Sequence, residues 1–229
     1  MKKNLLAIAF LFAGYTAHSQ ILISLIFGDK LNSEKIEFGL DGGFNMSTIN
    51  GLDDAEFKPA LNIGFYFDFK FQNPALSVNT GLMLKSSMGA KGLPVYSLGN
   101  PVLDEAFTGG SVTRQISYFN LPVMMKYTLK NHIYAKAGIM AGLKHNCYDT
   151  FLNTFNDEDD LNYKNKIRKM YHPLDAGLVF GAGYRLLKGK GINIGIQYYF
   201  GLVDVCVDDS NPDQYNRAIY LNAGIPIGK

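Results

Sequence analysis

The sequence predicts an all-β protein, an eight-stranded antiparallel up-and-down transmembrane β-barrel. Three observations predict it. Alternation of apolar and polar residues with period two recurs eight times along the chain, which is the strand signal. Short and long connections alternate between these segments. Beyond the N-terminus no apolar run approaches the roughly 20 residues that a spanning helix needs, so a membrane form of this chain has to be a closed sheet.

The 229 residues suffice for one such barrel. Residues 1–19 have the layout of a secretory signal: Met1-Lys2-Lys3, an apolar run from Leu5 to Ala13, then Ala17-His18-Ser19 before Gln20. Residues 20–34, which include ILISLIF at Ile21–Phe27, form an N-terminal segment that fits neither helix nor strand cleanly. The barrel domain is expected over 35–229. Losing Lys2 and Lys3 lowers the formal charge from +2 to 0, and an exported neutral chain has no electrostatic basis for nucleic-acid binding.

The alternating segments run in order. In Lys35–Asn45, Ile36, Phe38 and Leu40 alternate with Glu37, Gly39 and Asp41. In Ala60–Phe71, Phe65, Phe67, Phe69 and Phe71 alternate with Tyr66, Asp68 and Lys70. Ala75–Ser86 sets Leu76, Val78, Leu82 and Leu84 against Ser77, Asn79, Gly81 and Lys85. The fourth segment reaches from Arg114 to Leu129, where Leu121, Val123, Met125, Tyr127 and Leu129 oppose Asn120, Pro122, Met124 and Lys126. His132–Lys144 and Pro173–Leu186 follow, with Lys136, Lys144, Asp175 and Arg185 on their polar faces. Gly191–Val203 and Arg217–Ile227 complete the set. Three connections are short (72–74, 130–131, 187–190) and four are long, expected as loops: Met46–Pro59, Ser87–Thr113, Asn146–His172 and Asp204–Asn216. In outer-membrane barrels the short turns face the periplasm and the long loops face outside.

One face of the eight segments holds almost only Ile, Leu, Val, Phe, Tyr, Met and Ala. The other gathers Glu37, Asp41, Asp68, Lys70, Lys85, Lys126, Lys136, Lys144, Asp175 and Arg185 among asparagines and glycines. A soluble barrel would bury the apolar face, yet eight strands enclose only enough room for side chains to fill. Rows such as Phe65-Phe67-Phe69-Phe71 overcrowd that space, and glycine-rich strands do not give the dense charged cover of a soluble surface. The apolar face is therefore expected to meet lipid. Glu37, Asp41, Asp68, Lys126, Lys136, Asp175 and Arg185 form a structural polar cluster inside. A lysine on the lipid face at mid-depth would cost roughly 2–4 kcal/mol. Tyr127, Tyr184, Tyr198 and Phe200 are candidates for the interfacial girdle.

The segment YFNLPVMMKY resembles the Y-x-x-(I/L)-P-h-h-h-K-Y strand, h being apolar, of the PorT-like outer-membrane β-barrel family of Bacteroidota. DAGLVFGAGYR and YYFGLVDV are similar to later strands of that family, and a signal ending in Ser-Gln is typical of the group. The resemblance spans essentially the whole mature chain. It implies an eight-stranded outer-membrane barrel without general enzymatic activity, some members being linked to protein secretion. The C-terminal GIPIGK departs from the aromatic ending that outer-membrane barrels often carry.

Chemistry-bearing motifs are sparse. His145, His172 and Asp175 flank the Asn146–His172 segment and are the candidate elements of a hydrolase site, but no serine motif accompanies them. The acidic run Asn156–Asp160 lacks the spacing of a calcium loop and reads as a solvated loop, as does the group Asp204, Asp208, Asp209 and Asp213. Cys147 and Cys206 lie at the outer ends of the fifth and seventh segments. They are a candidate loop-to-loop disulfide, two free thiols being the alternative. Gly181 and Gly183 alternate along a strand and make interior room rather than a nucleotide loop. The expectation is a non-enzymatic barrel in the outer membrane, without cofactor or metal. Its partners would be outer-membrane lipid or lipopolysaccharide and an envelope or secretion protein, met through the long loops. A small-solute porin and a barrel hydrolase acting on lipid or peptide are the alternatives.

Overall fold

A computed structural model describes residues 31–155, 159–208 and 212–227. The signal expected over 1–19 and the segment Ile21–Phe27 lie outside the described residues. Among the described residues no helix is long and apolar enough to cross a membrane; the sheet spans instead.

Nine strands build that sheet: β1 (Ile36–Asn50), β2 (Glu56–Lys70), β3 (Leu76–Leu93), β4 (Ser111–Thr128), β5 (Ile133–Phe155), β6 (Asp159–Lys166), β7 (Leu174–Arg185), β8 (Asn193–Gly201) and β9 (Tyr215–Pro226). Eight close into an antiparallel ring in the order β1-β2-β3-β4-β5-β7-β8-β9, with β9 paired back onto β1. β6 stands outside the ring, paired with the far end of β5. Closure leaves every ring strand with a neighbour on both sides, the condition for placing backbone amides in hydrocarbon. Turns at 71–75, 129–132 and 186–192 mark one end, the periplasmic one by the rule for such barrels.

The expected phase holds in the membrane-spanning part. Leu121, Val123, Met125 and Tyr127 are exposed on the outer wall, while Asn120, Met124 and Lys126 between them are buried. The outward Phe65, Phe67 and Phe69 pack edge to face or stacked on one another, and Phe65 and Phe67 meet Phe38 at a tilt. Inward glycines admit rings. Tyr134 crosses the interior over β7 and β8, where a Cβ at Gly195 would stand 2.6 Å from its hydroxyl oxygen and one at Gly183 would fall onto that atom.

Two of the four segments expected as loops, Met46–Pro59 and Asn146–His172, are largely strand, while Ser87–Thr113 is strand at its ends and the described part of Asp204–Asn216 is strand only at its last two residues. Met46–Pro59 shrinks to a turn at 51–55, in which Gly51 takes a φ of 97°. Ser87–Thr113 gives both ends to β3 and β4 and keeps one short helix, α1 (Pro101–Ala106), which Asn100 caps by accepting from the Val102 amide. Asn146–His172 contributes the outer part of β5 and all of β6. Two β-bulges at one level of the wall bring about the change of face. β3 carries an extra residue between Met83 and Ser86, and β5 carries one at His145. A single inserted residue exchanges the two faces of everything beyond it. Lys85 consequently lies outward and exposed, not inside as its sequence phase suggests.

Beyond these bulges the polarity of the wall reverses. The interior becomes apolar, with Ile49, Met88, Val112, Ile116, Cys147, Phe151 and Val205 all buried. The outward positions become Thr48, Thr113, Gln115, Tyr148 and Thr150. The lower part of the barrel is thus built for lipid and the upper part for water. Gly183→Val should destabilise the barrel by about 1–3 kcal/mol through overpacking against Tyr134, whereas Ala182→Val on the lipid face should change it little. Urea unfolding in micelles measures both.

Candidate functional site

Six of the seven expected interior residues meet near the periplasmic end. Lys126 donates from Nζ to Asp68 Oδ2 at 2.6 Å, and Asn79 donates to Asp68 Oδ1 at 2.6 Å. The Lys126 ammonium also stands 4.6 Å from the centre of the Tyr134 ring. Lys136 donates to Asn79 Oδ1 at 3.3 Å. Arg185 Nη2 donates to Glu37 Oε2 at 2.8 Å and Tyr66 donates to Glu37 Oε1 at 3.2 Å, while Lys70 lies 3.9 Å from the same carboxylate. Asn222 donates to Asp41 at 3.1 Å. Asp41, Tyr66, Lys126 and Lys136 share a residual cavity of only about 30 Å³, roughly the space of one water molecule. Each charge meets an opposite charge or an amide, as burial demands.

Asp175 is not part of that cluster. It lies higher in the barrel, where its Oδ2 accepts from Asn216 at 2.8 Å and its carboxylate also bonds the Tyr199 hydroxyl. Asn216 in turn donates to the Tyr118 hydroxyl at 3.1 Å. An apolar layer of Met83, Met124, Met140 and Val179 belongs to the same buried core as Tyr118 and Tyr199.

A third network closes the extracellular mouth, and none of its members was singled out from the sequence. Arg114 grips Asp149 with two hydrogen bonds, Nε to Oδ1 at 2.8 Å and Nη2 to Oδ2 at 2.6 Å. Arg114 Nη1 also donates to Tyr171, which donates to Gln214 Oε1 at 2.6 Å, and Tyr96 donates to Asp149 Oδ2 at 3.0 Å. Above the network Tyr96 and Phe107 pack edge to face on Phe151, at centroid distances of 4.9 and 5.7 Å. Arg114 shares the even phase of Lys126 along β4, a signal that pointed inward. Asp149 was hidden because the bulge at His145 changes the phase of β5.

The remaining candidates do not assemble a site. His145 lies on the outer wall, stacked on Phe119 at 4.5 Å, His172 is exposed and Asp175 is buried inside the barrel. Asn156, Asp157 and Glu158 lie outside the described residues, as does Asp209. Asp204 is structural: its Oδ1 accepts from the amides of Cys206 and Gln214. Cys147 and Cys206 are both buried free thiols and form no bridge. Burial, with help from nearby Asp149 and against Lys144 and Arg114, pushes the Cys147 thiol up to about 12. Burial likewise pushes the Tyr96 hydroxyl up to about 12, with Asp149 adding to it.

Asp68→Asn should cost about 3–5 kcal/mol because it strands Lys126 without its carboxylate. Adding Lys126→Met should recover most of that loss, read as the urea midpoint in micelles. Cys147 should resist maleimide at pH 8 in the folded protein and label once it is unfolded. The raised thiol stabilises the fold fully below the ordinary value of 9.0 and loses that contribution as the pH climbs toward about 12. Cys147→Ala should flatten that alkaline decline.

Three solved structures are similar in outline. Ail, the attachment invasion locus protein of Yersinia pestis, is 14% identical; the match covers 85% of this chain and 100% of Ail, at a TM-score of 0.42. Neisserial surface protein A is 8% identical over 86% of this chain and 100% of its own, at 0.45. OprG of Pseudomonas aeruginosa is 13% identical over 84% of this chain and 93% of its own, at 0.34. Likenesses of this size carry no argument about function. No curated protein matches the sequence. The model of one family, described as the outer membrane protein beta-barrel domain, matches residues 27–207, and the chain belongs to that family.

Proposed function

We propose that the chain is a non-enzymatic outer-membrane barrel that acts through its extracellular extension, as a structural or interaction component of the envelope. One observation carries the reading. Among the described residues, buried and paired side chains cross the interior at three levels, the Glu37 and Asp68 cluster, Asp175 with Asn216, and the Arg114–Asp149 clamp, which argues against a continuous path. What the chain offers to its surroundings is the part that leaves the bilayer: the outer ends of β3, β4 and β5, the helix α1 and the β5–β6 hairpin. The surface of that part is mixed, with Glu105, Lys164, Lys166 and Arg168 exposed beside Val102, Leu161 and Tyr163. Export by the signal at residues 1–19, membership of the PorT-like group of Bacteroidota and a partner in secretion or envelope assembly belong to this proposal. They rest on the sequence motifs.

A porin reading requires a conducting interior, and a hydrolase reading requires His145, His172 and Asp175 to converge. The packed interior weighs against the first, and the separation of those three side chains weighs against the second. Planar bilayers containing the purified protein should show no stepwise conductance. A photo-crosslinker placed at Glu105 or Lys166 in intact envelopes should capture a discrete species, whereas one at Asn131 on the periplasmic turn should not. Steady channel steps would overturn the closed-barrel proposal, and absence of any capture from the extension would overturn the interaction role.

A further inference from the structure

The wall of the barrel is interrupted at one place. β2 and β3 pair from Lys70–Ser77 up to Ile63–Lys85 and again at Phe57–Ala90 and Glu56–Lys91, but between those blocks residues 58–62 and 86–89 do not pair with each other, each keeping only its other neighbour, β1 or β4. The gap is a built feature. Side chains of β1 take over the orphaned carbonyls: Asn45 donates to the Ser87 carbonyl at 3.0 Å and Ser47 to the Gly89 carbonyl at 3.1 Å. Pro59 at the gap lacks an amide proton that would otherwise need a partner.

A cavity of about 400 Å³ lies at this gap, and Lys58 and Ser87 line it together with the outward Leu61, Leu84, Lys85 and His145. Lys58 is 6% exposed. Its ammonium donates to the Ser87 hydroxyl at 3.3 Å, and among the described residues neither Lys58 nor Lys85 has a carboxylate partner. The other buried lysines are better served. Lys126 has Asp68, and Lys144 donates to the backbone carbonyls of Arg168 and Tyr171. An ammonium taken out of water with one hydroxyl for company leaves a large desolvation cost uncompensated. The groove therefore favours a negatively charged occupant.

Position decides which anion. The groove joins the buried Lys58 and Ser87 to the outward Leu61, Leu84, Lys85 and His145, and it lies where the apolar belt gives way to the polar extension. Leu61 and Leu84 are exposed beside it, while Ser117 and Gln115 of β4 line its polar side. An occupant needs negative charge at the level of the cations and an apolar portion against the leucines. We propose that this groove binds the phosphate-bearing headgroup of an outer-leaflet lipid, with Lys58 and Lys85 as the cationic ligands and Leu61 and Leu84 under an acyl chain. The proposal rests on the outer-membrane reading given above. Lys58 gives the phosphate a desolvated charge-assisted hydrogen bond, and Lys85 adds a second from the rim.

The test uses the full chain purified in zwitterionic detergent, with bisphosphorylated lipid A as probe and binding followed by native mass spectrometry. One lipid should bind. Lipid A stripped of its phosphates, Lys58→Gln and Lys85→Gln should each weaken binding by about tenfold or more, and Lys58→Arg should retain most of it. Inorganic phosphate alone should not register at the same concentration. Equal affinity for the two lipids, unchanged binding in both glutamine variants, or binding of free phosphate as tight as that of the lipid would overturn the proposal. Lys85 is exposed outside the core, so Lys85→Gln reports even where Lys58→Gln fails to fold. Heat-modifiable gel mobility of the same sample checks the barrel itself. A chain that shows no such shift fails the outer-membrane reading, whereas a shifted chain that ignores the phosphates fails only this site.

Discussion

Hydrocarbon offers no hydrogen bonds, and that single constraint organises the molecule. Every backbone amide at membrane depth has to be satisfied by another strand, so β9 returns to β1 and the sheet closes. Closure at eight strands makes an interior too narrow to stay wet, so the charges turned away from lipid must neutralise one another. The Lys126–Asp68 and Arg185–Glu37 pairs follow from this, each buried and each reinforced by a neutral partner, Asn79 in one case and Tyr66 in the other. Ion pairs of this kind add little net stability compared with a well-packed apolar core. Once present, though, they are costly to break.

The interior is therefore a consequence of the exterior. Large rings and branched side chains on the lipid face leave the small and polar residues to the inside, and the glycines there are matched to particular tyrosines. Tyr134 fits because β7 and β8 present Gly183 and Gly195, and Tyr66 lies against Gly39 in the same manner. A barrel filled this way holds its charges in fixed positions, which suits a scaffold better than a conduit.

Much of this was legible in the sequence. The eight alternating segments, their order and the inward direction of Glu37, Asp41, Asp68, Lys126, Lys136 and Arg185 all followed from period two. The partner of Lys126 did not, because β2 and β4 are not neighbours in the ring. Contacts across the lumen depend on the stagger of the sheet, which alternation does not encode. The outer ends of the strands were read as loops for a different reason. The polarity rule that identifies a strand in lipid reverses in water, and Arg114, Asp149 and Tyr171 lie beyond the reversal.

That reversal is achieved in two ways, and the difference explains the bulges. Along β5 the odd positions Ile139, Ala141 and Leu143 face lipid, and beyond the bulge the odd positions Cys147, Asp149 and Phe151 face the core. The extra residue at His145 turns the odd positions from the outer wall to the interior. β3 does the same, with Val78, Leu82 and Leu84 outside and Met88 and Ala90 inside on one even phase. β4 has no extra residue, so its sequence must change phase instead, from outward Leu121 and Phe119 to inward Ile116 and Val112. A bulge that inverts a strand also loosens the ladder beside it. The inversion on β3 and the opening beside Lys58 therefore share a cause: the wall is interrupted where the chain passes from a solvent that rejects charge to one that accepts it.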